Sequence, residues 1–243
     1  HQVNAPQAWD LSTGDANIKV AVTDNAINVN HPDLINKMLP GWNSAENNNN
    51  PNPCGGNNGN HGTHVAGTVG AETDNGIGVA SIGWDISIIP VAIGRCSDGA
   101  LTAGYDGIIW AADAGADVIN MSWGGAGSSN FAQNAINYAW NQGAILVAAA
   151  GNNNSNQQFY PAAYNNVISV AATTLNDVRS SFSQYGPWID IAAPGSSIQS
   201  TSTATTSGYQ SLQGTSMASP LVSGFLGLMK SFAPNATNND LIN

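Results

Sequence analysis

The chain has 243 residues, only 8% of them charged, and a formal net charge of −10. So acidic a chain lacks the basic footprint that nucleic acid or an anionic membrane would need, and no stretch approaches 18 uninterrupted apolar residues, which excludes a membrane-spanning helix. With 42% hydrophobic residues it is no disordered segment; surface scaling gives about 10,200 Å² for one folded body of this length.

From the N-terminus, residues 18–23 form the first of several short runs rich in Val, Ile and Ala, and Asp24 closes it. The others are 86–93, 117–121, 144–150, 167–172 and 188–192. Most are apolar throughout rather than alternating, as in strands buried on both faces of a parallel sheet. Residues 43–60, rich in Asn, Gly and Pro, read as loop. A helix start follows at Asn60, with His61 and His64 three apart. Two such histidines can share a metal, but no Cys or Glu stands at ligand spacing; the alternative is one imidazole acting as a general base.

Helical spacing appears over residues 101–114, with Gly115 as a stop, and over Asn130–Asn141, with Gly143 following. Residues 221–232 are apolar nearly all round and predict a buried helix. Ser216 precedes that run and stands at a helix N-terminus, with Pro220 expected in the first turn. Strands alternating with helices predict an α/β fold: a three-layer, doubly wound sandwich with a mostly parallel central sheet. Thr237 reads as an N-cap with little chain after it, so one domain over 1–243 with a trimmed C-terminal end is expected.

Cys54 and Cys96 both lie in loop-like stretches. They are either two free thiols or a disulfide; a disulfide would close a loop worth about 4 kcal/mol in the chain-entropy model and imply an oxidising compartment. There are 32 Asn but only five Lys and Arg together. Trypsin-like cleavage would find few sites, which suits an extracellular medium.

Four segments carry the chemistry. Asp24 ends a buried strand, where open α/β sheets place their ligands. His61 opens HGTHVAGT, Asn152 closes AAAGN, and Ser216 lies in GTSMASP. The order Asp, His, Ser is the one subtilisin uses. With VAVTD and VINMSWGG these blocks make the chain resemble the subtilisin-like serine proteases, or subtilases, from about residue 5 to 243.

The resemblance implies an endopeptidase in which Ser216 is the nucleophile, His61 the base and Asp24 its orienting partner. Asn152 and the Ser216 N–H would form the oxyanion hole. It implies an extended peptide substrate held between Ser97-Asp98-Gly99 and Ser122-Trp123-Gly124. A P1 pocket would be lined by Ser122, Trp123, Gly124, Ala149, Ala150 and Gly151, with Phe159 at its base selecting small or medium apolar side chains. It places Cys54 and Cys96 on one side of that cleft, which favours the disulfide. It implies structural calcium held by Asp33 of His31-Pro32-Asp33-Leu34 and by the loop Glu72, Asp74, Asn75, Ile77 and Val79. The family's N-terminal glutamine ligand has no counterpart, His1-Gln2 being out of position. A secreted monomer is expected, matured from a form with an inhibitory prodomain. The chain departs from the family at Asn25-Ala26, where Ser or Thr and then Gly are usual. Ala26 would suffer where a positive φ is required. The same acyl-enzyme would also serve a transpeptidase. No GxGxxG follows the first strand, which argues against a nucleotide-binding protein.

Overall fold

The computed structural model describes residues 3–205 and 208–242, so His1 and Gln2 lie outside the described residues. In chain order the elements are α1 (Ala5–Trp9), β1 (Lys19–Asp24), β2 (Trp42–Asn43), α2 (Asn60–Gly70), β3 (Ser87–Ala92), α3 (Gly104–Asp113), β4 (Val118–Met121) and α4 (Asn130–Asn141). Then come β5 (Ile145–Ala149), β6 (Val167–Thr173), β7 (Ile191–Pro194), β8 (Ile198–Thr201), β9 (Tyr209–Leu212), α5 (Thr215–Phe232) and α6 (Asn238–Ile242). β2 to β3 and β1 to β4 pair in parallel in a seven-stranded sheet of order β2-β3-β1-β4-β5-β6-β7, while β8 and β9 form a separate antiparallel pair.

Side chains alternate across each strand, and here both faces are buried. Val20, Val22, Val118 and Val147 join α2 and α5 through Val65, Val69, Met217 and Leu226. Ala21, Ile119, Met121 and Leu146 join α3 and α4 through Ile108, Ala111, Ile136 and Ala139. This is the three-layer α/β sandwich that the apolar runs predict. Its surface is 10239 Å², as the scaling for one compact body requires. No helix among the described residues is long and apolar enough to cross a membrane.

Several boundaries differ from the sequence reading. The last strand begins at Ile191, not at residue 188; Trp188 and Asp190 instead bond back to Asn156 and Ser169. It is an edge strand with Ile191 46% exposed, so burial on both faces does not extend to it. The helix expected at residue 101 starts at Gly104, because Leu101 bridges Gly94. Asn43, assigned to loop, pairs with Ala92 in β2. The C-terminal apolar helix starts at Thr215, so Pro220 lies inside it, past the first turn; Phe225 and Phe232 are exposed, so it is not buried all round. The polar hairpin β8–β9 carries no apolar signal and went unpredicted.

The strand order reverses about β1: β2 and β3 lie to one side, β4 to β7 to the other. Open α/β sheets bind ligands at the carboxyl ends of strands beside such a switch. There the register sets Thr23 beside Met121, and Met121 beside Ala148. Asp24, Ser122 and Ala149–Asn152 therefore leave the sheet side by side.

Candidate active site

Asp24, at the end of β1, is 1% exposed. Its Oδ1 accepts from His61 Nδ1 and from the Asn25 N–H, each at 2.8 Å. Its Oδ2 is buried without a hydrogen-bond partner. The His61 side chain is 39% exposed, so one edge meets the carboxylate while the ring stays open to solvent. Burial alone would lower the His61 pKa; the Asp24 charge and hydrogen bond outweigh it, and the net shift is upward.

The Asn25-Ala26 departure is absorbed locally. Ala26 is not among the residues with positive φ. Asn25 Oδ1 accepts from the N–H groups of Ala26 at 2.8 Å and Gly62 at 3.1 Å. The second bond caps the first turn of α2 from another segment, where the N-cap Gly59 offers no side chain. A Cβ on Gly62 would stand 2.3 Å from Ala26 O and 2.9 Å from Asp24 Cβ, so only glycine lets α2 approach β1 this closely.

Asn57, which the sequence reading did not single out, organises the approach to α2. Its Nδ2 donates to Asn25 O at 2.8 Å and Gly94 O at 3.3 Å, and its Oδ1 accepts from Gly59 N. One among 32 asparagines, it carries no signal of its own. The same loop is tied to the hairpin at residues 94–101 by the Cys54–Cys96 disulfide; the described residues hold no free cysteine.

His64 is wholly buried and faces away from Asp24. Its Nε2 lies 3.0 Å from Ile198 O and 3.1 Å from Gln210 O. Two acceptors there require a proton on Nε2, so the ring pins the β8–β9 hairpin to α2. Burial lowers its pKa, the two carbonyl bonds oppose this, and the net shift is downward. No group of three His, Cys, Asp or Glu able to hold a metal occurs among the described residues. The shared-metal reading of the two histidines therefore has no further ligand.

Ser216 is the second residue of α5. Its Oγ donates to Ser122 O at 3.1 Å and makes no hydrogen bond to His61. Asn152, just past β5, has its Oδ1 fixed by the Thr215 N–H at 2.9 Å and Thr215 Oγ at 3.0 Å. A Cβ on Gly214 would lie 3.5 Å from Asn152 Nδ2 and 3.6 Å from Ser216 N. The two nitrogens thus lie beside one point that glycine leaves open. Paired donors of this kind suit a developing oxyanion.

Phe159 lies between two glycines. A Cβ on Gly124 would meet Phe159 Cε1 at 2.5 Å, and one on Gly151 would meet Phe159 Cγ at 3.0 Å. The ring spans from one proposed wall of the P1 pocket to the other. Trp123 turns instead toward Gly104 and Tyr105, its Nε1 bonded to Thr23 Oγ. Ser97 and Asp98, expected to flank the substrate, stand in a turn, where Asp98 pairs with Arg95 at 2.6 Å. Gly99 follows with φ +73°.

Asp33 is wholly buried. Its oxygens accept from Asn75 Nδ2 at 2.8 Å, Val79 N at 3.0 Å and the Tyr209 hydroxyl, neutral donors all, and no ion pair among the described residues reaches it. A buried carboxylate without a cationic partner is short of positive charge, which suits a cation at this loop. Glu72 spends its carboxylate on Asn36, which leaves its carbonyl as the candidate ligand, while the Asp74 side chain stands exposed on the same loop.

A model of the Subtilase family matches residues 15–242. Thermitase of Thermoactinomyces vulgaris is 45% identical over 238 residues, covering 98% of this chain and 83% of thermitase. The thermophilic serine proteinase of Bacillus sp. (strain AK1) is 44% identical over 229 residues, covering 94% of this chain and 56% of its own length. Among solved structures, a protease of Pseudoalteromonas arctica PAMC 21717 superposes with a TM-score of 0.88 at 37% identity, covering 99% of this chain and 85% of that one.

Proposed function

The chain belongs to the subtilase family and is a serine-type endopeptidase, and we propose that Ser216, His61 and Asp24 form its catalytic triad, with Asn152 and the Ser216 N–H as oxyanion hole. Ser216 Oγ adds to the scissile carbonyl carbon as His61 Nε2 takes its proton. Asp24 holds His61 in the tautomer with the proton on Nδ1 and favours the imidazolium that forms. The carbonyl oxygen becomes an oxyanion between Asn152 Nδ2 and the Ser216 N–H. Collapse breaks the C–N bond, and the leaving amine takes the proton from His61. Water, deprotonated by His61, then adds to the ester carbon; the bond to Ser216 Oγ breaks, Oγ takes that proton back from His61, and the acid leaves. The observation that carries this reading is the commitment of Asn152 Oδ1 to Thr215, which leaves Nδ2 uncommitted on the side of Gly214 where the Ser216 nitrogen also lies.

The substrate is a protein or peptide bound as an extended strand along Ser122-Trp123-Gly124, with a P1 pocket shortened by Phe159. Asp33, the side-chain oxygen of Asn75 and the carbonyls of Glu72, Ile77 and Val79 would hold calcium, which would neutralise the Asp33 charge and fix the loop. Secretion is favoured by the disulfide. Casein hydrolysis by Ser216→Ala tests the assignment: it should fall by several orders of magnitude while the variant keeps the parent's circular dichroism and Tm. Undiminished hydrolysis would contradict it.

A further inference from the structure

Behind the proposed nucleophile lies a buried polar knot. Asn120, the third residue of β4, is wholly buried. Its Oδ1 accepts from Ser219 Oγ at 2.8 Å and Ser223 Oγ at 3.0 Å, both on α5. Its Nδ2 donates to Ser122 Oγ at 2.9 Å. Having accepted there, Ser122 Oγ gives its own proton to Ser216 O, also at 2.9 Å.

The Ser216 carbonyl needs that donor. In a helix its partner would be the N–H of residue 220, and residue 220 is proline. Ser122, just past the end of β4, supplies the bond that Pro220 removes from α5. Ser216 completes the clasp, its Oγ donating to Ser122 O at 3.1 Å. On the other side Thr215 is held by Asn152. Residue 216 is thus held through its own carbonyl by Ser122 and, one residue back, through Thr215 by Asn152.

We propose that Asn120 is a positioning residue for the nucleophile: by donating to Ser122 Oγ it makes Ser122 the hydrogen-bond donor that holds the Ser216 carbonyl left free by Pro220. Without Asn120 the Ser122 hydroxyl has no fixed proton direction. The Ser216 peptide then loses its anchor, and the side chain loses its heading toward the substrate carbonyl. Misplacement of reacting atoms by about 1 Å costs about 10²-fold in rate. The inference rests on Ser216 being the nucleophile.

The test is kcat and KM on a chromogenic peptide, with Tm, for Ser122→Ala, Ser223→Ala and the double variant Ser122→Ala/Pro220→Ala. Ser223→Ala removes an anchor of Asn120 on α5 but leaves the line from Asn120 through Ser122 to Ser216 intact. Ser122→Ala is expected to lower kcat by about tenfold or more with KM within about twofold, the mark of an interaction that matters in the transition state. Ser223→Ala lowers Tm but leaves kcat within about twofold. Adding Pro220→Ala returns a backbone N–H to Ser216 O and recovers much of the kcat lost in Ser122→Ala; a merely structural knot would show no such rescue. Asn120→Asp keeps acceptors for Ser219 and Ser223 but has no donor for Ser122 when ionised, and should match Ser122→Ala in kcat. Should it not fold, the other three variants decide. Equal kcat losses in Ser122→Ala and Ser223→Ala, no loss in Ser122→Ala, or no rescue by Pro220→Ala would overturn the proposal. Failure of the parent enzyme to be labelled at Ser216 by a fluorophosphonate would instead overturn the nucleophile assignment beneath it.

Discussion

Asn152 and Thr215 fix each other across the cleft: one amide oxygen accepts both the N–H and the hydroxyl of Thr215, at 2.9 and 3.0 Å. An amide's oxygen and nitrogen are hard to tell apart by shape alone, but only oxygen can accept from a backbone N–H. The NH₂ group therefore faces the cleft before any substrate arrives. On the proposed assignment this amide is a preorganised oxyanion donor, so removing it should damage the transition state and spare ground-state binding. Asn152→Ala should lower kcat by about 10²–10³-fold with KM nearly unchanged. Steady-state kinetics on a peptide substrate checks this; a KM effect without a kcat effect would assign Asn152 to substrate binding instead.

The same kinetics followed against pH test the Asp24–His61 pair. The base must be neutral to accept a proton, so the acid limb of kcat/KM follows the free-enzyme pKa of His61. Burial pushes that pKa down, while the charge and hydrogen bond of Asp24 push it further up, to a net value above the ordinary one. Asp24→Asn removes both upward effects and leaves burial. The acid limb should move to lower pH, and kcat should fall by about 10⁴-fold as the tautomer is lost. A limb that stays in place or moves to higher pH would separate Asp24 from the titration.

The disulfide anchors the loop that leads into the His61 helix. Cys54 and Cys96 are 42 residues apart, and closing such a loop contributes about 4 kcal/mol in the chain-entropy model. For a domain of this size that corresponds to about 8–16 °C in Tm. The double variant Cys54→Ser/Cys96→Ser should lose that much in a thermal melt. A change within about 2 °C would mean that the Asn57 bonds to Asn25 and Gly94 already hold the loop.

Phe159 governs P1 choice if its ring closes the pocket between Gly124 and Gly151. Phe159→Gly should raise kcat/KM for substrates with Phe at P1 over those with Ala by about tenfold or more, since each buried methylene in such a pocket is worth about 1–3 kcal/mol. An unchanged ratio would place the ring outside the path of the P1 side chain.

Much of the fold was legible because a parallel sheet buried on both faces writes itself as continuous Val, Ile and Ala runs. Where burial relaxes, the signal shifts: β7 carries an exposed Ile191 and was placed three residues early. β8 and β9 read Ile-Gln-Ser-Thr and Tyr-Gln-Ser-Leu. They exist because His64, Ser200 and Thr201 bond them to α2, which no periodicity reveals. Asp24, His61, Asn152 and Ser216 stood out through their motifs. Asn57 and Asn120 did not, since a buried organising asparagine looks like any surface one until its partners are known. Pro220 misled for a related reason: its missing N–H is harmless in a first turn, but here it lies deeper in the helix and is compensated by Ser122, from the segment after β4.

Activation of Ser216 is read by intact mass after exposure to a fluorophosphonate, followed by peptide mapping. A single adduct per chain is expected, on Ser216, that no longer forms once the protein is heat-unfolded. Well-folded protein that takes up no label, or takes it elsewhere, would contradict it.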